Sequence, residues 1–188
     1  MESRAAYLYS LRFYILFVSL IFFGSIVIGY MGFLSDVFSE PVEWIKELGE
    51  NINESTQEYP PAVTFLVFFT VIFLNNAFTC FLDIILGPLI GIFPTFSAFT
   101  NGGLIGWLAQ EEGLVVFLAI VPHGLFELPA FLLSTAIGVR LGREVLKRKE
   151  ERHFKVELRN GLVVFLTVVL PLLFIAALIE SVLIVAAR

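Results

Sequence analysis

The chain has 188 residues, of which 58% are hydrophobic and only 15% charged, with 21 Phe, a formal net charge of -5 and a mean hydropathy of +0.90. A soluble domain carries roughly 25% charge, so this composition describes an integral membrane protein. It excludes a disordered chain, a scaffold held by disulfides, since there is one cysteine, and a nucleic-acid-binding domain, which would need strong positive charge.

The apolar residues fall in long unbroken runs rather than alternating stretches of about ten, which argues against a β-barrel and for an all-α bundle. A bilayer core of roughly 30 Å needs about 20 apolar residues in a helix, and the sequence supplies such runs at 13–34, 61–86, 88–109, 113–139 and 161–187. Five spans in a single membrane domain over 1–188 are therefore expected. The first run is longer than a signal-peptide core of about 7–15 residues and lacks a small-x-small cleavage site, so it reads as a retained anchor.

Between the first two runs, seven carboxylates (Asp36, Glu40, Glu43, Glu47, Glu50, Glu54 and Glu58) face one Lys. Phe38, Val42, Ile45, Leu48 and Ile52 recur every three or four residues among them, the pattern of an amphipathic helix over 36–58. Such a helix either lies as a solvated connector or offers a docking surface to an extracytoplasmic protein partner.

The second run carries Asn75 and Asn76. The third holds Thr95, Ser97, Thr100 and Asn101 among Pro88, Gly91, Pro94, Gly102, Gly103 and Gly106, a composition that predicts a kinked helix or two half-helices. The fourth has His123 and Glu127 bracketed by Pro122 and Pro129, and the fifth has Glu180. Counting at 1.5 Å per residue places Asn75, Asn76, Asn101, His123 and Glu127 within roughly 6 Å of the centres of their runs, as one polar layer. His123 and Glu127 are one turn apart and share a face. Polar groups in hydrocarbon cost several kcal/mol unless partnered, so the layer is either a binding site for an ion, proton or small polar solute, or a set of interhelical hydrogen bonds that fixes register.

Between the fourth and fifth runs lie eight basic residues: Arg140, Arg143, Lys147, Arg148, Lys149, Arg152, Lys155 and Arg159. With Arg4 and Arg12 they put ten of the twelve Lys and Arg on one side of a five-span chain. Basic residues stay in the cytoplasm, so segment 140–160 and the N-terminus are expected inside and the C-terminus outside, in the cell membrane. The basic segment reads as a solvated helix continuing the fourth span.

Three GxxxG spacings, Gly87 with Gly91, Gly102 with Gly106 and Gly138 with Gly142, together with Gly124, are expected helix-packing positions. They either join helices within the chain or form a subunit contact, which makes a homo-oligomer, most simply a twofold dimer, the expected assembly. No phosphate loop, HExxH, paired cysteines or GxSxG occurs, so no common catalytic template is met and no cofactor is expected. Cys80 is read as a packing residue. A metal would find only His123 and Glu127 as ligands, plus whatever Asp83, Glu180, the amides or a second subunit adds, because His153 lies in the basic segment.

Asn75-Asn76, Gly87, Gly91, Asn101-Gly102, Gly106, the run from Pro122 through His123, Gly124, Glu127, Leu128 and Pro129 to Ala130, and finally Gly138, Arg140, Leu141 and Gly142 together resemble the stage II sporulation protein M family. The likeness covers residues 75–142 in order. It implies an all-helical polytopic protein of about five spans. It also implies a non-enzymatic scaffold role, since the family's namesake holds an engulfment complex that brings peptidoglycan-degrading enzymes to the septum. A carrier or channel built on the polar layer is the alternative that the intramembrane residues themselves suggest.

Overall fold

A computed structural model describes residues 4–55 and 58–186, and every element in them is helical. In chain order these are α1 (Arg4–Ser10), α2 (Arg12–Tyr30), α3 (Ser35–Ser55), α4 (Pro61–Ile85), α5 (Ile92–Glu111), α6 (Val115–Leu146), a short 3-10 turn (Lys149–Glu151), α7 (Phe154–Val164) and α8 (Leu170–Ala186). A π-helical turn, Phe165–Val169, joins α7 to α8 so that they form one rod from Phe154 to Ala186.

Among the described residues four stretches are long and apolar enough to cross a membrane: Arg12–Tyr30, Pro61–Ile85, Ile120–Leu146 and Phe154–Ala186. The expected third span is not among them, because α5 mixes its apolar residues with Thr, Ser, Asn and Gly. It is nevertheless one continuous helix, not two half-helices. Its start falls at Ile92, four residues later than the expected run, since the chain turns first. Gly91 sits at φ 71° and Ile90 at φ 57°; the left-handed conformation suits glycine, and a β-branched residue adopts it at a cost on the order of 1–3 kcal/mol.

Helix α6 also runs unbroken through Pro122 and Pro129 and extends seven residues past the expected end at 139. Each proline removes a backbone donor. The carbonyls left without one are those of Leu118 and Leu125, whose own side chains face outward. The basic segment does continue this helix, but only to Leu146, after which it folds back through the 3-10 turn into α7.

Packing follows from residue size. Helices α2 and α5 share the most extensive contact, and α8 packs against both α4 and α6. Phenylalanine fills the wider α4–α8 seam: Phe65, Phe69 and Phe73 stack along α4, with Phe174 of α8 edge-on to Phe69 at 5.1 Å and to Phe73 at 5.9 Å. Leu11, Val18, Ile84, Ala98, Ile137, Leu141, Val164 and Leu173 are buried in the common core. Leu, Phe, Val and Ile are widely exposed on the outer faces, as on the lipid-facing surface of a bundle.

Helix α3 has the expected two faces. Phe38 and Val42 are buried against Trp107, with Leu34, Leu104 and Leu108 around them, and the Phe38 and Trp107 ring centroids lie 6.4 Å apart. The carboxylates at positions 36, 40, 43, 47, 50, 54 and 58 are all exposed. The side chains of Ile45 and Leu48 lie outside the described residues.

Candidate polar site between α6 and α8

Helical periodicity brings His123 and Glu127 onto one face of α6, and the packing of α8 against that face adds Glu180. One ligand atom from each of the three lies within 4.8 Å of the others. All three residues are partly buried, and the Nδ1 of His123 is buried without a hydrogen-bond partner. Among the described residues no hydrogen bond joins the three, and none ties an asparagine amide to them.

The cluster is off-centre along the helices. His123 and Glu127 stand about 12 and 18 Å along the axis from the Val115 end of α6, and Glu180 about 9 Å from the Ala186 end of α8. The expected single layer is therefore spread out. Asn75 is exposed on α4, and its amide donates to the Asn76 side-chain oxygen at 3.4 Å. Asn101 turns back on its own helix and donates to the Ser97 carbonyl at 2.8 Å. Glu180, one of the groups that could have added a ligand to His123 and Glu127, is the one that joins them, and the amides do not.

A second polar cluster was not foreseen. Asp83 is fully buried, and Thr135 Oγ1 lies 2.7 Å from its Oδ2 and 2.8 Å from the Phe131 carbonyl. The threonine has one proton for two acceptors, so a protonated Asp83 donating to Thr135, which in turn donates to Phe131, would satisfy the chain. Asp83 Oδ1 has no partner. The only sequence signal was a carboxylate inside an apolar run.

At the far end of α6 the charges are matched. Arg140 donates to Glu157 Oε1 at 2.7 Å and to the Ser10 hydroxyl, and its guanidinium lies 4.7 Å from the centre of the Tyr7 ring. Arg143 donates to the Tyr14 hydroxyl at 2.8 Å. Glu144, buried, pairs with Lys147 at 2.5 Å and accepts the His153 backbone N–H at 2.6 Å. An open cleft of about 570 Å³ lies between α2 and α6 beside these residues. The contacts put α1, the start of α2, the end of α6 and the start of α7 at one end of the bundle.

The glycines lie on two seams inside the chain. A Cβ on Gly87 would fall 2.6 Å from the Gly138 Cα, and one on Gly142 would fall 2.6 Å from the Gly91 Cα, so the first and third GxxxG pairs face each other. On the other seam a Cβ on Gly102 would meet the Phe22 backbone, one on Gly106 the Ile26 carbonyl carbon at 2.7 Å, and one on Gly29 the Trp107 nitrogen at 2.9 Å. Gly124 belongs to neither seam, since a Cβ there would meet only an Ile120 methyl at 3.1 Å.

Residues 13–183 match the profile of the family described as Stage II sporulation protein M. An uncharacterized protein of Methanocaldococcus jannaschii is 32% identical over 135 residues, which cover 66% of this chain and 57% of the relative. The chain thus matches little more than half the length of that relative. No solved structure matches it.

Proposed function

The chain belongs to the stage II sporulation protein M family, and from that premise we propose that it is a five-span membrane protein that binds a cation or proton through His123, Glu127 and Glu180. The observation that carries this reading is the convergence of a histidine and two carboxylates from two helices with, among the described residues, no protein cation beside them. No Lys or Arg occurs between residues 47 and 139 or between 160 and 187. Two carboxylates in an apolar bundle are costly unless something positive joins them. Binding and release of that species would give a carrier or channel its task.

Five crossings are supported by parity. Arg140 touches Ser10, and Arg143 touches Tyr14, so the start of α2 and the end of α6 share one side. That requires an even number of crossings between them, which α2, α4, α5 and α6 supply and which three would not. The close glycine seam with α2 compensates for the polarity of α5. With the basic residues inside, α3 and the His123 cluster lie toward the outer face. Thiols introduced by Glu47→Cys and Lys149→Cys should then react with an impermeant reagent from opposite sides.

The second reading is the scaffold that the family name suggests. It is favoured by α3, whose apolar face packs on Trp107 while its six carboxylates point outward. With homo-oligomer formation, this would recruit partners rather than move a solute. Complementation decides between the two: Glu127→Gln removes a charge and keeps the shape, so it should abolish function if the cluster binds a cation or proton. Full function of that variant, with loss only when the α3 acids are replaced, would favour the scaffold.

A further inference from the structure

We infer that the His123–Glu127–Glu180 cluster is a site for a first-row divalent transition-metal ion, which deepens the cation reading above and rests on it. The inference comes from charge, ligand type and spacing taken together.

Charge comes first. With His123 neutral, the three side chains carry two negative charges, and no Lys or Arg occurs between residues 47 and 139 or between 160 and 187, the stretches from which the cluster is drawn. One dication brings the site to zero net charge. Protonation of both carboxyls would also do so, but each carboxylic acid would then need an acceptor within hydrogen-bonding distance. The three groups lie within 4.8 Å of one another yet make no hydrogen bond among themselves. Side chains that surround a central ion are spaced in this way. Metal–ligand bonds of about 2.0–2.2 Å place neighbouring ligand atoms roughly 3–4 Å apart.

Ligand type narrows the ion. Calcium and magnesium favour all-oxygen shells, whereas an imidazole beside two carboxylates suits zinc, manganese, iron or cobalt as dications. The Nδ1 of His123, buried without a hydrogen-bond partner, is a donor atom left for an ion or for a proton that fixes the tautomer. Three protein ligands leave a fourth position open, as in sites where the metal exchanges or holds water rather than locking a fold. The position of the cluster, about 9–18 Å from the helix ends that the proposed topology puts outside, gives an ion a short path from the outer face.

The full chain, purified and stripped with chelator in nanodiscs, can be titrated with Co2+ and then with Zn2+. The expected result is one Co2+ per chain with a visible ligand-field spectrum, displaced by Zn2+, and a rise in Tm on metal addition. His123→Gln and Glu180→Gln should each weaken binding at least tenfold while eluting as the parent protein does, and His153→Gln should leave binding unchanged. No Co2+ spectrum in the parent, or equal binding by His123→Gln, overturns the metal site. If metal is ignored while Glu127→Gln still abolishes complementation, the metal assignment falls and the proton reading of the site stands. If metal binds in this way but Glu127→Gln complements fully, the metal site stands and the functional reading falls.

Discussion

The two ends of α6 solve the same problem in opposite ways. At the Leu146 end, Arg140 meets Glu157, Ser10 and the Tyr7 ring, and Glu144 meets Lys147 and the His153 backbone. At the Val115 end, His123 and Glu127 meet Glu180, and among the described residues no cation of this chain joins them. A helix whose polar groups served packing alone would be partnered at both ends, as buried polar groups generally are. The first end is thus built to stay as it is, tying α1, α2, α6 and α7 together, while the second has room for a cation or proton.

The glycine seam flanks Arg140 at the matched end, and breaking it should do the most damage. Gly142→Val would drive a branched side chain into the Gly91 backbone, where a single Cβ already falls 2.6 Å from the Gly91 Cα. Backbone cannot move aside as a flexible side chain can, so α6 must separate from the turn that starts α5. The expected outcome is loss of the folded protein from the membrane fraction. A variant that accumulates normally and melts as the parent does would show that the seam is not what holds the matched end in place.

A smaller effect is expected at Arg140. Arg140→Met keeps much of the side-chain volume but leaves Glu157 with an uncompensated charge, and Glu157 Oε2 already lacks a partner. The two side chains are only 15% and 13% exposed, so the loss should be on the order of 3 kcal/mol. For a chain of this size that lowers Tm by on the order of 10 °C. Glu157→Gln introduced into Arg140→Met should recover part of the loss, since no charge is then stranded. Absence of any recovery would mean that the guanidinium acts through its ring and hydroxyl contacts instead.

How much of this was legible in the sequence depends on the kind of contact. Runs of apolar residues gave the long helices, and the three- and four-residue spacing gave α3 with Phe38 and Val42 inward, because both are properties of one segment. The i, i+4 spacing of His123 and Glu127 was equally local. Their partner Glu180 lies more than 50 positions away, and only the packing of α8 on α6 brings it in. The GxxxG spacings announced close approach but not to which neighbour; the turn at Ile90 and Gly91 decides that Gly87 and Gly91 meet Gly138 and Gly142. Composition left open whether the helices at α5 and α6 would be kinked, broken or continuous; α6 runs as one helical segment through both of its prolines, and α5 starts after the turn.

The smallest effect is expected at Lys147, and it tests whether matching at this end is a matter of burial rather than of charge count. Lys147 pairs with Glu144 at 2.5 Å, a shorter contact than Arg140 makes with Glu157, so a tally of ion pairs would rank it at least as high. Its side chain is 39% exposed, however, against 3% for that of Glu144. Water and salt therefore screen the lysine, and pairs of this kind contribute about 0–1 kcal/mol. Glu144 is also not stranded by the change, because its other oxygen accepts the His153 backbone N–H at 2.6 Å and so clasps the turn into α7. Lys147→Ala should lower Tm by no more than about 4 °C, whereas Glu144→Ala should cost more, since it frees that turn as well. If Lys147→Ala destabilises as strongly as Arg140→Met, burial is not what separates the two pairs, and the contrast between the matched and unmatched ends of α6 would have to be drawn from net charge alone.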